Sequence, residues 1–171
     1  MLGLGNTLSG GIVPAATATG FTNSYSLDCD GSNDYVTMGD IDVLDGQDTF
    51  TVSAWIKLDG LPEDGSRYVI VSKDNAYELY VRNYSGNIAI YLRLNNGSVN
   101  YSVVTLNADT WYHLVASHGA SGIGGTNLYL NATVTGNSPR GTQITINNTS
   151  DPLIIGGRGS YFTNGLIDEV A

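Results

Sequence analysis

The chain has 171 residues, the length of one domain, of which 42% are hydrophobic and only 13% are charged. A domain of this size buries about two-thirds of the surface that its unfolded chain exposes, so it can fold without a disulfide. Sixteen acidic and seven basic side chains give a formal net charge of −9, which repels nucleic acid and an anionic membrane alike. These properties argue against a nucleic-acid partner, and the lack of any long apolar run argues against membrane insertion.

The first segment of the chain differs in composition from the rest. Residues 1–22 are small, uncharged and rich in Gly and Ala. They contain too few large apolar side chains to offset an ordering entropy of roughly 1–2 kcal/mol per residue. We therefore predict an N-terminal arm that is ordered only against another chain or beneath a loop, followed by one domain over residues 23–171. Because the first basic residue is Lys57, we expect no secretory signal peptide.

After the arm, short apolar runs with a period of two alternate with turns rich in Gly, Asn, Ser and Thr. No stretch of helix length shows a helical period. Short strands at regular intervals are typical of an all-β sandwich or barrel. The predicted strands are 24–29, 33–38, 50–58, 68–73, 76–82, 87–95, 98–106, 111–118, 126–131, 142–147, 153–156 and 166–170.

Seven aspartates precede the first basic residue, and their mutual repulsion favours a bound cation. They are Asp28, Asp30, Asp34, Asp40, Asp42, Asp45 and Asp48. The spacing is not that of an EF-hand, because Asn33 stands where that loop requires Gly. A metal site would therefore be assembled from separate segments. The alternative is that these residues are solvated turn residues, as Asp beside Gly or Asn usually is.

Trp55 is out of phase in the strand predicted over residues 50–58. Apolar and polar side chains alternate there, as in a half-buried antiparallel strand. Trp55 shares the phase of the polar Ser53 and Lys57 and so points away from the core. It either packs beneath a loop or the N-terminal arm, or is presented to a ligand.

The pair Asn96-Gly97 is the strongest two-residue hairpin signal in the chain. A two-residue turn there places the apolar side chains of the 87–95 and 98–106 strands on one face. The predicted pairs are Leu94 with Val99, Leu92 with Tyr101 and Ile90 with Val103.

The face opposite these apolar residues carries candidate ligand-binding side chains. An even-numbered turn within residues 83–86 aligns the preceding strand with the hairpin, so that Glu78 also lies on this face. Sugars stack on Tyr and form hydrogen bonds with Arg. The predicted binding residues are Tyr80, Arg82, Tyr91 and Arg93. The alternative is that this face supports a neighbouring strand or loop.

Five motifs in order across residues 24–171 resemble laminin-G-like jelly-roll domains of the concanavalin-A-like superfamily. They are the opening 26–36 segment, Phe50–Lys57, the W-x-H-type strand Trp111–Ala116, Leu128–Asn131, and the closing Ile154–Gly157 with Gly165–Val170. The resemblance implies a two-sheet antiparallel jelly-roll sandwich. Cys29 and Ala132 depart from it, because the family usually has Phe and Gly there. Members also continue past the Asp-Glu-Val segment, so either the chain is truncated at Ala171 or a partner completes that edge.

The resemblance also implies a structural calcium ion. Many members hold one calcium between the loop after the opening strand and the closing strand. In this chain the ligands would be Asp30, the carbonyl of Gly31 and Asp168, at oxygen distances of about 2.3–2.6 Å.

Catalysis is not expected from this sequence. Retaining glucanases place two carboxylates about 5 Å apart. The three glutamates here, Glu63, Glu78 and Glu169, are never within five residues of one another. The histidines lack a Gly-x-Ser-x-Gly elbow or a matched Cys. We expect His113 to make a local hydrogen bond and His118 to lie at the surface.

Two classes of function fit these expectations. One is a recognition module that binds a glycan or a cell surface, as resemblance to lectin-like domains implies. The other is a structural subunit, such as an appendage or decoration protein of a virus or phage, or a homo-oligomeric surface assembly. The expected lack of a signal peptide favours a virion, since lysis releases it without export. A secreted or cell-surface bacterial adhesion domain is the alternative, and both place the protein at an extracellular or virion surface.

Overall fold

A computed structural model describes residues 25–120, 125–138 and 144–171, so the predicted arm over residues 1–22 lies outside the described part. The strands within that part are β1 (Leu27–Asp30), β2 (Val36–Thr37), β3 (Phe50–Leu58), β4 (Arg67–Lys73), β5 (Tyr77–Tyr84), β6 (Asn87–Leu94), β7 (Ser98–Val103), β8 (Trp111–Ala120), β9 (Gly125–Leu130), β10 (Thr133–Ser138), β11 (Leu153–Ile155), β12 (Gly157–Arg158), β13 (Tyr161–Phe162) and β14 (Asn164–Asp168). No helix in these ranges is long and apolar enough to cross a membrane.

Two antiparallel sheets of six strands each form the sandwich. Sheet I has the order β1-β14-β3-β8-β9-β10, and sheet II has the order β2-β11-β4-β5-β6-β7. Strands far apart in sequence are neighbours in both sheets, as a jelly roll requires. The all-β, two-sheet antiparallel jelly-roll sandwich predicted from the sequence is confirmed.

The core lies between the inner faces of the two sheets. The predicted 50–58 strand is β3, and Phe50, Val52, Ala54, Ile56 and Leu58 are all buried along it. Sheet II contributes Leu79, Val81, Ile90, Leu92 and Leu94, each fully buried. Burying one such side chain stabilises the fold by about 1.5–3 kcal/mol, which explains why the alternating pattern determines the inner face.

The phase of the β5–β6 hairpin agrees with the prediction. Tyr84 pairs with Asn87 across a turn of two residues, Ser85 and Gly86. Leu79 therefore lies opposite Leu92, and the core residues of both strands share the inner face.

The predicted register of the next hairpin is wrong by one residue. Leu94 pairs with Ser98 and Arg93 pairs with Val99. Asn95 and Asn96 both have left-handed backbone angles, with φ of 51° and 55°, so Asn95 joins the turn and lengthens it to three residues. Asparagine tolerates this conformation better than most residues, which is why the turn accepts the extra residue.

This shift turns the apolar residues of β7 outward. Val99, Tyr101 and Val103 are 43%, 61% and 58% exposed. The inner face of β7 instead presents Ser102, whose hydroxyl donates a hydrogen bond to the Thr135 carbonyl of β10 at 2.5 Å. Because β7 is an edge strand that meets the other sheet at its margin, it can place a polar residue inward and large side chains on the outer face.

Other elements also differ from the sequence prediction, among them β12 and β13, which it lacks. Residues 144–147 of the predicted 142–147 strand form no strand, and residues 142–143 lie outside the described part. The sequence also gives no signal for β10, which follows β9 through a two-residue turn at Asn131 and Ala132. Both turn residues are left-handed, with φ of 49° and 63°, where Gly would be favoured.

Candidate functional site

Three tyrosines form a stacked row across the outer face of sheet II. Tyr80, Tyr91 and Tyr101 are direct cross-strand partners on β5, β6 and β7. The ring centroids of Tyr80 and Tyr91 are 4.9 Å apart with an interplanar angle of 8°, and those of Tyr91 and Tyr101 are 5.2 Å apart at 20°. Exposure rises along the row from 3% at Tyr80 to 61% at Tyr101, so the accessible end lies at the edge strand.

A buried carboxylate anchors the other half of this face. Glu78 is 2% exposed and forms ion pairs with three arginines. Arg67 Nε is 3.2 Å from Oε1, Arg158 Nη1 is 3.1 Å from Oε2, and Arg93 also contacts Oε2. Burial raises the pKa of Glu78, while Arg67 and Arg158 oppose that shift. This cluster is a structural support beneath the face.

A shallow cavity of about 320 Å³ opens beside the tyrosine row. We call it the tyrosine cavity. Its wall consists of aromatic and small apolar side chains with one amide and one guanidinium: Arg82, Tyr84, Asn87, Ala89, Tyr91, Tyr101 and Val103. Arg82 lies with its guanidinium carbon 5.0 Å from the centre of the Tyr84 ring.

The structure divides the four predicted binding residues into two groups. Arg82 and Tyr91 line the tyrosine cavity. Arg93 is paired with Glu78, and Tyr80 is buried with the Arg67 guanidinium 5.1 Å above its ring. Sequence reasoning missed Tyr84 and Tyr101, which are both exposed. The incorrect register points Tyr101 inward, and the turn predicted within residues 83–86 contains Tyr84.

A family model described as "Concanavalin A-like lectin/glucanases superfamily" matches residues 30–171, most of the chain. The chain belongs to this superfamily. No curated protein sequence matches it significantly.

Several solved structures share the fold of this chain at low sequence identity. A protein from Bacteroides ovatus described as a candidate carbohydrate-binding protein has a TM-score of 0.66 at 18% identity, with 85% of this chain and 43% of that chain covered. The present chain thus spans less than half of that protein. A heptameric SAP-like pentraxin from Limulus polyphemus has a TM-score of 0.62 at 20% identity, covering 85% and 73%. The CBM40 module of the Ruminococcus gnavus IT-sialidase, bound to alpha2,3 sialyllactose, has a TM-score of 0.59 at 13% identity, covering 85% and 89%.

The superfamily includes glucanases, but the glutamates of this member are not arranged as a catalytic pair along one strand. Glu78 lies on β5, Glu63 precedes β4, and Glu169 follows β14. Three arginines hold the carboxylate of Glu78 in a buried position. A general acid must instead be able to contact the substrate.

The structure does not bring together the predicted calcium ligands Asp30 and Asp168. In the β1–β14 ladder Asp30 pairs with Asn164, four residues before Asp168. At about 3.3 Å per residue this offset is roughly 13 Å along the strands, too far for one ion to contact both carboxylates. Asp30 also accepts a hydrogen bond from Ser32 N at 2.8 Å, as in a local turn next to Gly31.

Another aspartate cluster has the spacing to hold a metal ion. Carboxylate oxygens of Asp40, Asp42 and Asp45 all lie within 4.8 Å of one another. The ammonium of Lys73 already occupies the position between them, with Nζ 2.8 Å from Asp40, 3.6 Å from Asp42 and 2.9 Å from Asp45. A divalent cation at this cluster would compete with that ammonium for the same oxygens. Lys73 thus supplies one positive charge to the acidic segment.

The outer face of sheet I carries Trp55, stacked on His113 with ring centroids 5.0 Å apart. Trp55 points away from the core, as its phase predicted, and is partly covered by this histidine. The prediction that His118 lies at the surface is wrong, since it is 2% exposed and its Nδ1 is 2.9 Å from Thr126 Oγ1. Burial lowers the pKa of His118. His118 is in phase with the buried Leu114 and Ala116 of β8, so its side chain points inward.

A larger cleft of about 470 Å³ opens between the sheets at the edge formed by β1 and β2. Its wall is mainly aliphatic and includes Leu27, Val36, Leu153 and Ile167. A sugar needs hydrogen-bonding groups and a flat aromatic surface. The tyrosine cavity offers both, so we place the candidate site there in spite of its smaller volume.

Proposed function

We propose that this domain is a non-catalytic carbohydrate-binding module that holds a glycan in the tyrosine cavity. The observation that carries this proposal is the set of Tyr84, Tyr91 and Tyr101 around one cavity that also contains Arg82 and Asn87. Tyrosine rings present apolar faces for the C–H groups of a sugar ring, and their hydroxyls reach its hydroxyl groups. Asn87 and Arg82 add donors that fix the orientation of the ligand.

The size and position of the cavity indicate which part of a glycan it accepts. Its volume of about 320 Å³ is at the small end of the roughly 300–1,000 Å³ seen for ligand pockets. It lies on the open face of a sheet, beside an edge strand. Such a site suits a terminal sugar of a surface glycan better than a long internal segment of a polysaccharide.

Substitution of the tyrosines tests the proposal. Purified protein is applied to an array of neutral and acidic glycans, and affinity for any bound glycan is measured by calorimetry. Tyr101→Ala should weaken binding about tenfold or more, the effect of losing one anchoring aromatic residue. Tyr25→Ala, which removes an exposed tyrosine before β1, is the matched control and should bind normally. Failure of the wild type to bind any glycan would reject the proposal.

The cellular setting follows from the same proposal. A glycan-binding jelly roll acts at an extracellular surface, and we propose either a virion, as a phage appendage or decoration protein, or a bacterial cell surface, as an adhesion domain. A homo-oligomer would multiply weak single-site affinity through avidity. Electron microscopy of the native source distinguishes the two settings, since a symmetric array on particles is expected only for the first.

A further inference from the structure

Positive charge is concentrated on the outer face of sheet II, although the chain as a whole has a net charge of −9. Four of the seven basic residues either pair with Glu78 or line the tyrosine cavity: Arg67, Arg82, Arg93 and Arg158. The carboxylates that pair with them are those of Glu78 and Asp74. The four guanidinium groups therefore outnumber the carboxylates that pair with them by two, against the sign of the protein as a whole.

Arg82 differs from the other three arginines of this face. Arg67, Arg93 and Arg158 all pair with Glu78, and Arg158 also contacts Asp74. No carboxylate in the described part of the chain lies within ion-pair distance of Arg82, whose guanidinium lies against the Tyr84 ring. Asp64 reaches the adjacent turn, where it accepts a 3.4 Å hydrogen bond from Gly86 N, but it is not part of the cavity wall.

The register makes this arrangement unfavourable without a ligand. Arg82 lies directly opposite Arg67 on β4, and like charges at directly opposed positions destabilise an antiparallel pair. Glu78 compensates the charge of Arg67. On its other side Arg82 faces the small Ala89, which leaves space over the sheet within the cavity. An anionic group entering from solvent would supply the missing charge.

We propose that the ligand of the tyrosine cavity is an acidic sugar, whose carboxylate or sulfate group is bound by Arg82. This rests on the proposed function and names the ligand class of the same site. The planar guanidinium matches the two oxygens of such a group, and this bidentate geometry is specific as well as strong. Tyr101, whose exposed ring ends the stacked row, then packs against the ring of the same acidic sugar.

The charge of the whole protein limits the ligand further. A net charge of −9 repels a densely charged polyanion at long range. A glycan with a single acidic terminal sugar interacts with Arg82 at short range without that cost. The expected ligand is therefore an otherwise neutral glycan that ends in one acidic sugar.

Matched glycan pairs and charge variants test this proposal. Calorimetry compares three pairs of ligands. They are lactose and sialyllactose, a glycan that ends in glucose and one that ends in glucuronic acid, and galactose and sulfated galactose. The wild type should prefer at least one acidic member about tenfold or more, as expected for one charge-assisted hydrogen bond, and the preferred pair identifies carboxylate or sulfate. Arg82→Gln should abolish the preference while retaining weak binding of the neutral member. Lys57→Gln, which removes one positive charge from the outer face of sheet I, should leave the preference unchanged.

The outcomes separate this inference from the proposed function. Equal binding of acidic and neutral glycans by the wild type, or an unchanged preference in Arg82→Gln, overturns the acidic ligand but leaves a glycan-binding module. Absence of binding to every glycan overturns both. Arg82→Lys keeps the positive charge but lacks the bidentate geometry of the guanidinium, so it should retain only part of the preference for the acidic glycan. The thermal melting curve of each variant verifies that it is folded.

Discussion

Lys73 Nζ lies 2.9 Å from Asp45 Oδ2, and the side chains of both residues are buried. The same ammonium donates to Asp40 Oδ1 at 2.8 Å and to the Ile41 carbonyl at 3.0 Å. β4 thus inserts a cation into the aspartate-rich segment that precedes β3. Burial by itself lowers the pKa of Lys73, but the hydrogen bonds to Asp40 and Asp45 raise it overall, so the lysine stays charged.

Removing this ammonium should destabilise the domain strongly. Lys73→Met leaves the buried Asp45 carboxylate without its counter-charge, and loss of one partner of a buried pair typically costs about 3–5 kcal/mol. The free energy of unfolding in urea measures the effect. Lys57→Met, on the outer face of sheet I, serves as control and should change stability by about 0.5 kcal/mol or less. A loss below about 1 kcal/mol for Lys73→Met would contradict the assignment.

The same cluster predicts a dependence of stability on pH. The hydrogen bond from Lys73 holds the pKa of Asp40 below its ordinary value. A carboxyl group with a depressed pKa in the folded state stabilises the fold above its unfolded pKa of about 3.9, and that contribution is lost as the pH falls below it. Wild-type stability should therefore decline below about pH 4, and Lys73→Met should show a shallower decline in that range. Parallel curves for the two proteins would argue against the coupling.

A lysine in the cation position also predicts how the protein responds to chelators. Excess EDTA should leave the melting temperature of the wild type unchanged, since no divalent ion is needed between Asp40, Asp42 and Asp45. In Lys73→Ala, which vacates the position, added calcium should raise the melting temperature because the three carboxylates gain a counter-ion. The opposite result, in which EDTA lowers the melting temperature of the wild type and Asp168→Ala abolishes that effect, would support calcium at Asp30, Gly31 and Asp168.

Alternation of apolar and polar residues was sufficient to predict the strands with one buried face. β3 agrees with its predicted bounds because all five of its inward positions are apolar. The β6–β7 register could not be obtained in this way. From the sequence alone, a two-residue turn closed by Asn95 and Ser98 is as plausible as the three-residue turn that forms. The inward position of Ser102 on edge strand β7 depends on its hydrogen bond with β10 of the other sheet. β10 itself was missed because its turn contains Ala132 instead of Gly.

The candidate site was predictable only in part, for the same reason. Placement of Arg82 and Tyr91 on one outer face followed from the period of two. Glu78 lies directly opposite Arg93 in the β5–β6 ladder, but it also binds Arg158, which is 80 residues away in the chain. The contact of Lys73 with the aspartates likewise joins residues 28 and 33 positions apart. Side-chain pairs across such distances leave no periodic signal in a single sequence.

No glycoside hydrolase activity is expected. Glu78, the glutamate nearest the candidate site, is buried and ion-paired with three arginines, and changing it to Gln should lower stability by removing the charge that they share. Reducing-sugar assays of the wild type on a panel of polysaccharides should give no product above background. Sustained release of sugar that Glu78→Gln abolishes, in a variant shown to be folded, would establish catalysis instead.

The turn at Asn131 and Ala132 offers a stabilising substitution. Ala132 has φ of 63°, a left-handed conformation that costs an alanine roughly 1 kcal/mol and a glycine little. Ala132→Gly should therefore raise the free energy of unfolding by about 0.5 kcal/mol, after the larger entropy of glycine in the unfolded chain is subtracted. Ala108→Gly is the matched control, because Ala108 is an exposed turn residue without a left-handed angle, and it should lose stability. Equal losses for the two variants in urea unfolding would show that the β9–β10 turn does not adopt this conformation in solution.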